Sequence, residues 1–562
     1  MTYADKPWLK SYKLGPYKLK ESLAPYPKEP VFKVLDDAAE KYPNKPALFF
    51  EGRSVDYKTL KSQADRLAAA LARLGIEKGD RVCIFMPNCI EYIISTWGIQ
   101  KAGGVVVPTS ILRTDEGLLH EAAGSDSRVM ICREEHLARV LGIKDRCSVE
   151  HVIVTSTEGY DCRGLSTSLP KGAYEFRKLL EESDPTPPKV QINPCEDLCE
   201  LPFTGGSTGI PKGVMITHFN RYTNLQQGLN WLMAPLAPGI MGKASVLIPL
   251  PLFHVYGHYI HQSAVFWGLR IILMPDPRDT EKIIRMIREY RPFLIPTVPT
   301  QLMRFAQAKI GRLNAMPLCG SAPLPNEVRE AIKKEMGIPV AEAYGLTESG
   351  PATHFDPSGF AAITGFMAKE KKSIGIPVPD TECKVVDPLT RREVPFGEDG
   401  EIVVRGPQIM KGYWPNPGKG LTEDGWLYTG DIGRMDNEGF FYISDRIKDM
   451  VNVSGMKVYT TTVDEVLYRH PAVLLAASFG VPDPKTMGSE RVMAVVRLKE
   501  EYRGKVGDGE IIEFCRKHLS PYAVPKYVEF KDDLPVTVTE KLFKKELREE
   551  AIAKMKERGE IP

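Results

Sequence analysis

At 562 residues the chain is long enough for several folding units. Its 43% hydrophobic and 26% charged residues exclude a largely disordered protein. With 74 basic against 72 acidic side chains the net charge is +2, which excludes the broad basic field of a nucleic-acid binder.

The first twenty residues are basic and proline-broken, without the apolar run of a secretory signal. Leu60, Ala64, Leu67, Leu71 and Leu74 recur at three- and four-residue spacing, which predicts a helix ending at Gly75. A Lys-Gly-Asp turn then leads into a short buried strand over 82–86, and Ala102–Pro108 repeats the pattern of helix end, turn and strand. Residues 281–290 are amphipathic and feed a strand at 293–296. Such alternation predicts layered α/β structure with parallel strands. Residues 183–197 are polar and proline-rich, a surface connector. After about residue 380 the texture changes, and 401–406 and 438–444 are expected as strands of an antiparallel β unit. Beyond 449 strands and helices alternate over about a hundred residues, the size of a separate small α+β domain. No apolar run reaches the ~18 residues of a membrane helix. The ten cysteines include no Cys-x-x-Cys pair, and the closest two, Cys195 and Cys199, would share a face if helical. The C-terminal Gly-Glu-Ile-Pro is not a peroxisomal address, so a cytoplasmic protein with reduced thiols and no transmembrane segment is expected.

The most unusual segment is Phe203-Thr204-Gly205-Gly206-Ser207-Thr208-Gly209-Ile210-Pro211-Lys212-Gly213. Glycines let backbone N–H groups turn toward an anion, hydroxyls add donors, and a lysine adds a mobile positive charge. Together they make a phosphate cradle. It is not the Walker loop, because Pro211 precedes Lys212 and Gly213 follows it.

This segment resembles the phosphate-binding signature of the adenylate-forming superfamily, which includes acyl-CoA synthetases, luciferases and peptide-synthetase adenylation domains. Further similar motifs follow in the family's order: Gly320-Ser321-Ala322-Pro323-Leu324, Ala343-Tyr344-Gly345-Leu346-Thr347-Glu348, Gly400-Glu401-Ile402, Arg405-Gly406, Gly412-Tyr413, Tyr428-Thr429-Gly430-Asp431 and Asp445-Arg446-Ile447-Lys448-Asp449. The resemblance spans about residues 30–550. It implies a large N-terminal domain, residues 1–448, and a small mobile C-terminal domain, residues 449–562, hinged at Lys448. The implied chemistry is attack of a carboxylate on the α-phosphorus of ATP, then displacement of AMP by coenzyme A.

By the same resemblance Thr204, Gly205, Gly206, Ser207, Thr208, Gly209 and Lys212 hold the β- and γ-phosphates. Ser321, Ala322 and Pro323 pass beside the base, Tyr344 stacks on adenine next to Gly345, and Thr347 donates to the α-phosphate. Glu348 binds Mg²⁺, a hard cation suited to carboxylate and phosphate oxygens. Asp431 accepts from the ribose hydroxyls and Arg446 donates to the same sugar. Lys541 reaches in from the small domain during adenylation, in Thr539-Glu540-Lys541 where relatives commonly read Ser-Gly-Lys. Without the family frame, Lys541, Lys544 and Lys545 would read as a solvated basic face. Asn452, Ser454 and Gly455 belong to the loop that passes the pantetheine arm. Thr460-Thr461-Thr462 stands where relatives often read Pro-x-Glu.

His254, in Pro251-Leu252-Phe253-His254-Val255-Tyr256-Gly257, replaces the aspartate that amino-acid-activating relatives use, which disfavours an amino acid. It implies a histidine near the carboxylate and tunnel mouth. Trp231, Met233, Phe253, Phe266, Trp267 and Met274 are candidates for an apolar lining. The expected function is therefore fatty acid plus ATP plus coenzyme A to acyl-CoA, AMP and pyrophosphate, with medium or long chains favoured. Alternatives are an aryl-CoA ligase, a luciferase-like oxygenase and a non-catalytic nucleotide- or acyl-binding protein. A homodimer remains open.

Overall fold

The computed structural model describes residues 2–158, 164–205, 211–313, 315–363, 365, 371–486, 488–537 and 542–561. Two large sheets carry most of the chain. In the first, Leu198–Glu200, Val105–Pro108, Arg81–Phe85, Ser127–Arg133 and His151–Thr155 run parallel. In the second, Arg270–Leu273, Ser245–Ile248, Leu294–Thr297, Met316–Cys319 and Ala341–Gly345 run parallel.

Successive strand residues point to opposite faces, and here both faces are buried. Val82 and Ile84 join a central core with helices Tyr57–Arg73, Ile90–Lys101 and Val255–Phe266. Cys83 and Phe85 pack the other way, on Leu118, Ala122 and Val140 of helices Asp115–Gly124 and Leu137–Lys144. The second sheet repeats this. Val246 and Ile248 face the central core, whereas Leu247 and Ile272 face Ile283, Ile287, Leu302 and Val328 of three outer helices. The result is five layers, helix–sheet–helix–sheet–helix. A helix in the middle layer meets protein on every side, and every residue of Ile90–Lys101 is buried, its few polar ones included. The expected layered α/β architecture is therefore what the chain adopts.

The predicted helix runs Tyr57–Arg73, with the Asp56 carboxylate accepting from the Thr59 N–H at its start. The predicted antiparallel unit is four strands, Glu382–Val386, Gly400–Arg405, Leu427–Met435 and Phe441–Arg446. The N-terminal segment clasps it and the edge strand Ile376–Pro377 of the second sheet. Ser11 Oγ donates to the Glu438 carbonyl (2.7 Å), Tyr12 donates to the Pro377 carbonyl (2.8 Å), and Trp8 packs edge-on against Phe441.

Toward the C-terminus a long hairpin, Val473–Pro482 and Glu490–Leu498, is joined in parallel by Tyr527–Phe530. One face of this sheet (Ala476, Val492, Val496) packs on helices Thr460–Arg469 and Asp508–Arg516. The other face (Phe479, Met493, Val495) packs on helix Lys544–Glu557. Among the described residues no helix is long and apolar enough to cross a membrane.

Three expectations change. Cys195 and Cys199 do not share a helical face, because Cys199 lies in the strand Leu198–Glu200 and Cys195 in the turn before it. Lys544 is not part of a solvated basic face. Its ammonium pairs with Asp464 at 2.6 Å and donates to Thr460 Oγ1 at 2.9 Å, and although burial would pull it down, Asp464 raises it above the usual lysine range. Met274 faces the outer core, while Trp231, Met233 and Trp267 belong to the central one, so the proposed apolar lining is not one surface.

Candidate active site

Parallel strands present their carboxyl ends on one edge, where ligands of open α/β sheets bind. In the second sheet that edge carries the 249–254 segment after Ser245–Ile248, the 320–323 loop after Met316–Cys319, and Tyr344–Glu348 at the end of Ala341–Gly345. His254, Ser321, Ala322, Pro323, Tyr344, Gly345, Thr347 and Glu348 are thereby brought to one side. His254 caps helix Val255–Phe266, its Nδ1 accepting from the Tyr256 N–H at 3.4 Å. Ser321 adopts φ +74°, which turns the chain sharply after Gly320. At Gly345 a Cβ would stand 1.7 Å from the Pro351 carbonyl oxygen, so only glycine lets the strand bulge into the turn that carries Thr347 and Glu348.

The phosphate-cradle segment is a hairpin. Phe203–Gly205 pairs with Pro211–Thr217, Thr204 opposite Lys212. Gly205 thus lies in a strand, and Gly206, Ser207, Thr208 and Gly209 lie outside the described residues. Thr204 Oγ1 donates to Glu348 Oε1 at 3.4 Å, which joins the hairpin to the Thr347–Ser349 turn. Tyr413 donates to the same oxygen at 2.8 Å, and the Lys212 ammonium stands 5.4 Å from the Tyr413 ring centre. Burial and the Glu348 carboxylate both raise the Tyr413 phenol, so it stays a donor. Tyr413 is held by pairing of Gly412–Tyr413 with the hairpin strand, Val214 opposite Tyr413. Sequence reasoning noted Gly412-Tyr413 as a motif and gave Tyr413 no role.

A second cluster surrounds Asp431. Its strand pairs with Phe441–Arg446 so that Asp431 lies opposite Arg446. Arg446 Nε donates to Oδ1 at 2.7 Å and Tyr344 donates to Oδ2 at 2.6 Å. Burial and Asp431 together raise the Tyr344 hydroxyl well above the usual phenol range. Each carboxylate oxygen can accept more than one hydrogen bond, so Asp431 retains acceptor capacity beyond these two donors. The Asp431→Ala variant releases the Tyr344 hydroxyl and the Arg446 guanidinium together. It is expected to raise the KM for ATP roughly 10–100-fold, the equivalent of one or two charge-assisted hydrogen bonds, in pyrophosphate-release assays with ATP varied.

The remaining predicted residues sit nearer the C-terminal region. Lys448 is exposed in the turn after Phe441–Arg446. Ser454 and Gly455 form the tight turn between strands Val451–Val453 and Met456–Val458, both with positive φ, and Asn452 lies in the first strand opposite Lys457. The Ser454 N–H donates to Ser489 Oγ and the Asn452 N–H to Glu490, each at 2.9 Å. Lys541 lies outside the described residues. Thr460 and Thr461 begin helix Thr460–Arg469, and its N-terminal groups are capped by Asp445 from the antiparallel unit. Asp445 accepts from the Thr460 N–H and from the Thr460 and Thr461 hydroxyls at 3.3 and 3.4 Å.

Glu348 offers hard carboxylate oxygen beside two hydroxyls. That donor set fits Mg²⁺, which takes one or two carboxylates and completes its shell with phosphate and water. The arrangement as a whole joins the glycine-rich hairpin to Glu348 through Thr204 and Tyr413, and Tyr344, four residues before Glu348, to Asp431.

Comparison with known proteins shows the family. The model of the AMP-binding enzyme family matches residues 35–414, and that of the AMP-binding enzyme C-terminal domain matches residues 462–541. The chain belongs to the AMP-binding enzyme family. It is 34% identical to a long-chain-fatty-acid–CoA ligase of Bacillus subtilis (strain 168), covering 97% of this chain and 98% of that one. A long-chain-fatty-acid–CoA ligase of Salmonella typhimurium is 33% identical, covering 98% and 99%. Among solved structures, an ATP-bound RpMatB-BxBclM chimera superposes with TM-score 0.82 at 25% identity over 94% of this chain and 99% of that one. The anthranilate CoA ligase AuaEII in complex with anthranoyl-AMP shares the fold, with TM-score 0.81 at 24% identity over 94% and 98%.

Proposed function

We propose that the chain is an AMP-forming ligase that activates a fatty acid and transfers it to coenzyme A. The acid's carboxylate oxygen forms a bond to the α-phosphorus of ATP as the bond to pyrophosphate breaks. The coenzyme A thiol then attacks the acyl carbon, AMP leaves, and the thiol proton is lost to solvent. The observation that carries this reading is Glu348, a carboxylate held at one oxygen by Thr204 of the phosphate hairpin and by Tyr413. Phosphoryl chemistry of this kind asks for positioning and charge stabilisation more than for acid–base groups.

Thr204 and Lys212, with Gly205, Gly206, Ser207, Thr208 and Gly209, are proposed to hold the β- and γ-phosphates. Thr347 donates to the α-phosphate, and Ser321, Ala322 and Pro323 flank the base on which Tyr344 stacks. Asp431 and Arg446 take the ribose, and His254 stands near the acid's carboxylate. Mg²⁺, when bound by Glu348, offsets phosphate charge. Residues 1–448 form the large domain and 449–562 the small one, hinged at Lys448. The small domain presents Lys541 to the first half-reaction and Asn452, Ser454 and Gly455 to the second. The cytoplasm, where ATP and coenzyme A are supplied, is the proposed location.

Fatty acids are favoured because the relatives matched over nearly the whole chain are long-chain-fatty-acid–CoA ligases. An aryl acid is the second reading, supported by 31% identity to a 4-coumarate–CoA ligase-like protein of Oryza sativa subsp. japonica over 92% of each chain. The test is pyrophosphate release with octanoate, palmitate, benzoate or acetate, with and without coenzyme A. Turnover is expected with octanoate or palmitate, and acyl-CoA only when coenzyme A is present. Benzoate as the sole substrate would establish the aryl reading, and no AMP with any acid would overturn both.

A further inference from the structure

We propose that a buried cluster, Glu200, Arg221 and His258, is a positioning centre that fixes the three substrate-facing segments relative to one another. The inference rests on the activity proposed above. The three side chains come from different elements: the strand Leu198–Glu200, helix His218–Gln227 and helix Val255–Phe266. All are within 1% of complete burial.

Each member reaches a different part of the site. Glu200 lies in the strand segment leading directly to Phe203–Gly205, the first arm of the phosphate hairpin. Arg221 grips both oxygens of Glu200, Nε to Oε1 at 3.2 Å and Nη2 to Oε2, and its third arm, Nη1, donates to the Gly350 carbonyl. Gly350 closes the turn that carries Thr347 and Glu348, its N–H donating to the Thr347 carbonyl at 3.2 Å. His258 Nε2 stands 3.2 Å from Glu200 Oε1, and its Nδ1 faces the Leu252 carbonyl at 3.3 Å, two residues before His254. Gln262 adds a donor to Glu200 Oε1 at 2.9 Å. From the same helix as Arg221, Asn224 makes a reciprocal pair with Ala352, accepting from its N–H at 3.1 Å and donating to its carbonyl at 2.8 Å.

Burial alone would push the Glu200 carboxyl up, yet Arg221 and His258 hold it well below the usual carboxylate range. A buried ion cluster is weak evidence for stability, since apolar residues of similar volume often serve as well. What the planar guanidinium supplies is geometry: one rigid fork spans a carboxylate and a carbonyl in fixed directions. The hydrogen-bond and ion-pair partners of the three are one another, Gln262 and the Gly350 and Leu252 carbonyls. They act through Thr204, the Thr347–Glu348 turn and His254, so they are positioning residues. Small misplacements of reacting groups cost about 10²-fold in rate.

The test is Arg221→Lys in the full chain. A lysine can keep the charge on Glu200 and cannot also reach Gly350 with a fixed fork. Acid-dependent ATP–pyrophosphate exchange, run with the acid found active in the wild type, is expected to lose at least about tenfold in kcat. Transfer to coenzyme A from supplied acyl-adenylate, which uses neither pyrophosphate nor its cation, is expected to change less than about threefold. Lys101→Gln is the control. Lys101 is equally buried between Asp36 and Asp65, at the opposite end of the parallel strands, and its loss is expected to lower the melting temperature while both half-reactions stay within about twofold. A folded Arg221→Lys protein with exchange within twofold of wild type, or with both half-reactions reduced by the same factor, would overturn the proposal. If Arg221→Lys does not fold, His258→Gln is judged by the same two rates. An inactive wild type overturns the underlying reading instead, and this is seen before any variant is made.

Discussion

Glu348→Gln is expected to lower kcat for acid-dependent ATP–pyrophosphate exchange by about 10²–10³-fold, the scale of losing one preorganised electrostatic contact at developing charge. The substitution preserves shape. The amide oxygen can still accept from Tyr413 and Thr204, which meet the native carboxylate at 2.8 and 3.4 Å. What disappears is the negative charge that would share a divalent cation with the triphosphate. Because the hydrogen bonds survive, the melting temperature should move by only a few degrees, and circular dichroism alongside the exchange assay separates lost chemistry from lost fold. A variant that keeps wild-type exchange at saturating Mg²⁺ would remove Glu348 from the cation role.

Lys541→Ala is expected to cause a loss of similar size, on the order of 10²–10³-fold, confined to adenylate formation. Residues on either side of the lysine are anchored. Val536 and Leu542 form an antiparallel bridge, the Phe543 N–H donates to the Pro535 carbonyl at 2.8 Å, and Lys544 is tied to Asp464. Thioester formation from supplied acyl-adenylate should stay within about threefold, because that step no longer has pyrophosphate to expel. Equal loss in both half-reactions, or none in the first, would sink the assignment.

The layered fold was legible because strands buried on both faces read as short continuous apolar runs, as in Val82-Cys83-Ile84-Phe85, between amphipathic helices. The glycine-rich segment stood out in a local window because glycines, hydroxyls and a lysine fall together there, whereas Thr347 and Glu348 were expected only through the resemblance to a family. Long-range partnerships were not. Nothing in the neighbourhood of Glu200, Arg221 or His258 tells that they meet in the middle layer, since their 21- and 58-residue separations are bridged only by the packing of two helices on a strand. Thr460 and Thr461 read as a departure from the family's pattern. In the folded chain their hydroxyls and a backbone N–H converge on Asp445, a helix cap supplied from another element, which no capping rule applied along the sequence would find. Lys544 misled for the same reason: a run of lysines looks solvated until its acid, 80 residues away, is known.

The clasp between the N-terminal segment and the antiparallel unit also sets a timetable. Ser11 and its acceptor Glu438 are 427 residues apart. On a ribosome adding ~5–20 residues per second, the early segment waits roughly 20–85 s for its seat to emerge. During that interval Trp8, Tyr12 and Leu14, all buried in the finished protein, have no native surface to cover them. The sheets behind can close in order of synthesis, since most of their strands neighbour one another in the chain. Completion of the N-terminal clasp is set by the late arrival of strands 427–446, the same stretch that brings Asp431 and Arg446 to Tyr344. The nascent chain thus gains the Asp431 carboxylate, with its Tyr344 and Arg446 donors, and its N-terminal seal in the same few seconds.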